Sequence, residues 1–83
     1  MPAIELRLFA LLREQTGVDR QSLQTAAATL GDLRQELVGR GGPWQALADS
    51  GRIRGAVNQA LAPESQALAN GDEVAFFPPV TGG

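Results

Sequence analysis

The sequence contains no cysteine, no histidine, no lysine and no tyrosine. Each absence closes off a class of chemistry. Without Cys there is no disulfide framework and no thiolate nucleophile. Without Cys or His, the common ligands of zinc and redox metals are missing, so no metal site is expected. Without His, Lys, Cys or Tyr, most groups that shuttle a proton near neutral pH are missing as well. The nine carboxylates are scattered, and none pair in a way that suggests a catalytic dyad. No apolar run approaches the ~20 residues of a membrane span, and the N-terminus carries no signal-peptide pattern. The expected location is therefore cytoplasmic, with no membrane partner. All seven basic residues are arginines, spread from Arg7 to Arg54, and the net charge is −2. That balance argues against nucleic acid, which needs a concentrated basic face.

What is present fits one small domain. Eighty-three residues bury only roughly 60–65% of their unfolded surface, which leaves a modest core and no room for a separate catalytic domain. In "AIELRLF", Ile4, Leu6 and Leu8 alternate with Glu5 and Arg7, the period-2 pattern of a half-buried strand. "ALLREQTG" reads as a short helical or turn stretch closing on Gly17, and "DRQSLQT" as an edge-like second strand. The main helix follows. Thr29 stands at its N-cap with Asp32 at N3. Leu30, Leu33, Leu37 and Val38 form its apolar stripe, Arg34 and Glu36 fall off that stripe, and Gly39 stands at the C′ stop. "PWQALADSG" reads as a second, short helix with Pro43 at its start, and Trp44 and Leu47 sealing the edge of the core. "IRGAVNQALA" reads as strand, turn, strand, with Asn58 near the bend. Asn70-Gly71 marks a turn into a final strand. In that strand Val74 and Phe76 share one face, and Ala75 and Phe77 the other. The expected class is α+β, with a domain over residues 1–77 and an extended tail over 78–83.

The tail, "PPVTGG", has its own logic. Pro78 and Pro79 have no N–H to give a sheet, so the last strand should stop before them. Their fixed φ favours an extended exit, and six residues can reach up to roughly 20 Å. Gly82 and Gly83 lack a Cβ and suit a narrow slot. The terminal carboxylate is ionised at neutral pH, inert until activated as a mixed anhydride and then an acyl donor. The residues alone leave a frayed chain end as the alternative. If Ile4, Leu6, Leu8 and Phe76 face the core, then Phe9 and Phe77 point outward. They form either an exposed apolar interface or the cap of a secondary core. Arg52 and Arg54 share a face that is either solvated or set against an acidic partner.

Together "LFALLREQTG", "GAVNQ" and above all "NGDEVAFFPPVTGG" resemble the small subunit of molybdopterin synthase, the MoaD family, over nearly the whole chain. The resemblance implies a β-grasp, ubiquitin-like fold, with a mixed sheet packed on one main helix. It also implies a sulfur carrier in molybdenum cofactor biosynthesis. A MoeB-like adenylyltransferase using ATP and Mg forms an acyl-adenylate on Gly83, a sulfur donor converts it to a thiocarboxylate, and the tail enters a MoaE-like large subunit. There the sulfur passes to cyclic pyranopterin monophosphate. On that pattern Pro78, Pro79, Val80, Thr81 and Gly82 guide the tail, and Phe9, Leu61 and Phe77 form the apolar contact with the large subunit. The chain itself binds no cofactor and is not an enzyme alone but the sulfur-donor subunit of a heterotetramer. Two other functions use the same activated glycine: a sulfur carrier of another pathway, thiamine-type, and a ubiquitin-like protein modifier. A plain interaction module with an incidental tail is the third alternative.

Overall fold

The computed structural model describes residues 3–78. Its elements run β1 (Ala3–Leu8), α1 (Ala10–Thr16), β2 (Arg20–Gln24), α2 (Leu30–Val38), a 3₁₀ helix (Gly42–Ala48), β3 (Arg54–Val57), β4 (Ala60–Leu61) and β5 (Glu73–Phe77). The five strands form one mixed sheet in the order β2-β1-β5-β3-β4. The first and last strands lie side by side and parallel at its centre, and every other pairing is antiparallel. The expected α+β class and mixed sheet are thus present, with β2 on an edge.

The core fills one side of the sheet. Ile4, Leu6, Leu8, Val57, Val74 and Phe76 point inward and meet Leu30, Leu33 and Leu37 of α2, with Leu12, Trp44, Leu47 and Ile53 closing the ends. Leu6, Leu8, Val74 and Phe76 have no measurable exposure. Each such side chain contributes roughly 1.5–3 kcal/mol on burial. Gly55 permits the closest approach of helix to sheet. A Cβ there would lie 2.7 Å from Leu30 Cδ2, so the backbone of β3 takes the place of a side chain under α2.

The ends of α2 show where local rules held and where they did not. Thr29 Oγ1 accepts from Asp32 N at 3.1 Å, the expected cap. Carbonyls of the β4–β5 connection supply further acceptors: Leu30 N donates to Gln66 O and Gly31 N to Glu64 O. At the other end Gly39 caps the helix in a right-handed conformation (φ −62°), and the positive φ values come later, at Gly41 (φ 76°, ψ −174°) and Gly42 (φ 56°). The chain leaves α2 through backbone bonds from Arg40 and Gly41 to Leu37 and Val38 before it reverses.

Arg34 corrects the expected stripe. It is 2% exposed and belongs to the core. Its Nε and Nη2 grip the Glu64 carboxylate at 2.7 and 3.0 Å, while Nη1 donates to Leu47 O at 2.7 Å. The guanidinium carbon lies 5.1 Å from the centre of the Phe76 ring. Each of its three nitrogens has an acceptor and its charge has a carboxylate partner, which is why an arginine can be buried here. It ties α2, the 3₁₀ helix and the β4–β5 connection together.

Candidate functional site

Strand parity assembles the site on the sheet face turned away from α2. Arg7 is paired with Ala75, Ala75 with Ala56, Ala56 with Leu61, and Phe77 with Arg54. Directly paired residues share a face, so Arg7, Ala56, Leu61, Ala75 and Phe77 all lie on the outer side. Phe9 joins them because its backbone remains extended (φ −126°, ψ 158°) just before α1 begins, which carries the alternation of β1 one step further.

The turn between β3 and β4 decides the placement of Leu61. Asn58 and Gln59 have φ of 52° and 70°, the positive pair that a two-residue hairpin loop of type I′ requires. Val57 therefore pairs with Ala60 and Ala56 with Leu61. A loop one residue longer would reverse the face of Leu61. The Asn58 side chain secures the turn: its Nδ2 donates to Asp72 Oδ1 at 3.0 Å, and its Oδ1 accepts from Glu73 N at 3.0 Å.

The result is a concavity of about 330 Å³ lined by Arg7, Phe9, Ala56, Gln59, Leu61, Glu73, Ala75 and Phe77. Ala56 and Ala75 contribute small side chains to it, and around them stand the large apolar Phe9, Leu61 and Phe77 together with the polar Arg7, Gln59 and Glu73. Phe9 is 36% exposed and Leu61 68% exposed, values that set them apart from every inward-facing apolar residue of the sheet. Phe77 is half-buried. The three residues expected at a partner contact thus line one hollow. Contiguous exposed apolar surface of this kind marks binding faces.

Pro78 follows β5 directly and lies on the rim of a second hollow of about 290 Å³, between α1 and the 3₁₀ helix. Leu11, 58% exposed, stands beside it. The sequence reading did not single out Leu11; on a seven-residue helix that buries only Leu12, its neighbour must face out. Arg7 was missed as well, though its spacing of two from Phe9 in an alternating strand was the available signal. Pro79, Val80, Thr81, Gly82 and Gly83 lie outside the described residues. Among the described residues no cluster of three or more carboxylates is placed to hold a metal ion, and no helix is long and apolar enough to cross a membrane.

A family model described as the ThiS family matches residues 6–83. The chain belongs to the ThiS family. Two relatives of this ThiS-family chain are named molybdopterin synthase sulfur carrier subunit. The one from Haemophilus influenzae is 42% identical, with 96% of this chain and 99% of the relative covered. The one from Escherichia coli is 40% identical over the same shares. Among solved structures, the H. volcanii small archaeal modifier protein 1 superposes with a TM-score of 0.77 at 33% identity, covering 96% of this chain and all of that one. The resemblance to molybdopterin synthase small subunits and the ubiquitin-like β-grasp fold are both borne out.

Proposed function

We propose that this chain is the sulfur carrier subunit of a molybdopterin synthase. The observation that carries the reading is the continuity of β5. One strand places Phe77 on the apolar outer face with Phe9 and Leu61, then ends at Pro78, so a docking face and the C-terminal segment are joined without an intervening element. The relatives of matching length bear the same functional name, which favours this reading over a thiamine-type carrier.

In this reading Gly83 is the working residue. Its carboxylate attacks ATP on a MoeB-like enzyme and displaces pyrophosphate. The outer sulfur of a donor persulfide then displaces AMP to give an acyl disulfide, and a thiol cleaves its S–S bond to leave the thiocarboxylate and a disulfide on the donor side, with ATP and Mg bound by the activating enzyme and not by this chain. Pro78 to Gly82 guide that end into a MoaE-like large subunit, where the sulfur passes to the pyranopterin precursor. Phe9, Leu61 and Phe77 hold the large subunit. The activating enzyme takes the same face in turn, since a carrier must leave one to reach the other. A heterotetramer of two small and two large subunits and a cytoplasmic location complete the proposal.

Mass spectrometry of the chain co-expressed with its activating and sulfur-donating enzymes tests it. One oxygen at Gly83 should be replaced by sulfur, and a residue appended after Gly83 should abolish the replacement with the fold intact. Normal loading of the extended chain would overturn the terminal-carboxylate assignment. The likeness to a small archaeal modifier protein supports a second reading, conjugation through Gly83 to other proteins. Gly-Gly remnants on target lysines, without any thiocarboxylate, would favour it.

A further inference from the structure

Arg7 is anomalous in the free chain. It sits within the apolar concavity beside Phe9, Leu61 and Phe77, and its side chain forms no hydrogen bond or ion pair with any described residue. Its Nε is buried and has no partner among the described residues. The guanidinium carbon lies over the Phe9 ring, 5.2 Å from its centre. The arginine does not serve the sheet either. Its directly opposed neighbour on β2 is Arg20, a like charge, and Arg20 is engaged by Glu5 at 3.2 Å. Glu73 borders the same hollow but makes no ion pair with Arg7 within 4.0 Å. The contrast with Arg34, each of whose three nitrogens has an acceptor, is direct.

We infer that Arg7 is a specificity contact within the apolar face, and that the partner seated on Phe9, Leu61 and Phe77 presents a carboxylate to it. A carboxylate approaching the guanidinium side-on takes Nε and one Nη together. It would supply the acceptor that the free chain lacks, in surroundings from which the partner's own apolar surface excludes water. The inference rests on the reading of this face as the large-subunit contact and adds its charge requirement. Apolar contact alone accepts many surfaces, whereas an unpaired guanidinium penalises any that brings no acceptor.

The test is calorimetric titration of the full chain with its purified large subunit, at low and high salt, for wild type, Arg7→Leu, Arg7→Lys and Phe77→Ala. Thermal melts confirm that each variant is folded. Arg7→Leu should bind at least about tenfold more weakly, because it strands a partner charge. It should also flatten the salt dependence, and Arg7→Lys should recover part of the affinity. If Phe77→Ala weakens binding while Arg7→Leu binds as well as wild type or better, the Arg7 contact is refuted and the face stands. If Arg7→Leu weakens binding with an unchanged salt dependence, the acceptor is neutral and the carboxylate is refuted. If neither variant weakens binding, the face itself is not the contact, and the inference falls with it.

Discussion

Phe76 and Phe77 are the same side chain on adjacent residues of one strand, yet they belong to different parts of the molecule. Phe76 has no exposure and packs among Leu6, Leu8 and the leucines of α2, with the Arg34 guanidinium over its ring. Phe77 lies on the opposite side, half-buried, lining a hollow with Ala56 and Ala75. The pleat alone separates them. The inner face spends its apolar area on folding. The outer face holds apolar area back, together with an arginine whose Nε has no partner among the described residues, and that surplus is what a binding surface requires.

The largest expected effect breaks the inner half of the pair. Phe76→Ala should destabilise the fold by about 3–5 kcal/mol, through lost burial and the cavity left behind. For a domain of this length, at roughly 0.05–0.15 kcal/mol per residue, that is between about a quarter and the whole of the folding free energy. Urea unfolding measures it. A loss below about 1 kcal/mol would mean that the core collapses around the gap and that Phe76 is less central than its burial suggests.

Phe77→Ala is the outer counterpart. Affinity for the large subunit should fall by about 2 kcal/mol, roughly thirtyfold, with a much smaller change in stability than Phe76→Ala causes. The ratio of the two effects is the informative quantity. If Phe77→Ala unfolds the chain and leaves the affinity of the folded fraction unchanged, both phenylalanines are structural and the division between faces fails.

Much of this division was legible in the sequence, because it depends on period-2 alternation within strands. Ile4, Leu6 and Leu8 against Arg7 and Phe9, and Val74 and Phe76 against Ala75 and Phe77, needed no knowledge of the partners of each strand. The Thr29 cap was legible for the same reason, since a cap is read from four consecutive residues. Features that depend on residues far apart in the chain were not. Arg34 stands four residues after Leu30 and three before Leu37, within the buried stripe of α2, and only its charge set it apart from that stripe. Its burial is licensed by Glu64, thirty positions away, and by the Leu47 carbonyl, neither of which a helical wheel contains. The stop at Gly39 was legible, since α2 ends at Val38, but the positive φ of the exit falls at Gly41 and Gly42, because the segment offers three glycines and only the path of the chain chooses among them. Leu61 was assigned to the partner face by resemblance, and the reason lies in the two-residue turn that fixes its parity.

That turn gives the smallest and most specific effect. Gln59 holds a φ of 70°, which a side chain with a Cβ adopts at a cost and glycine adopts freely. Gln59→Gly should therefore stabilise the hairpin, but glycine also enlarges the unfolded ensemble, so the net gain should stay below about 1 kcal/mol. A thermal melt reads this. The register of Ala56 with Leu61 is unchanged by the substitution, so Leu61 keeps its face. Because Gln59 only borders the hollow, affinity for the large subunit should stay within about twofold of wild type. A clear loss of affinity in a more stable protein would show that the Gln59 side chain itself touches the partner. The outer contact would then extend from the phenylalanine pair to the tip of the β3–β4 hairpin.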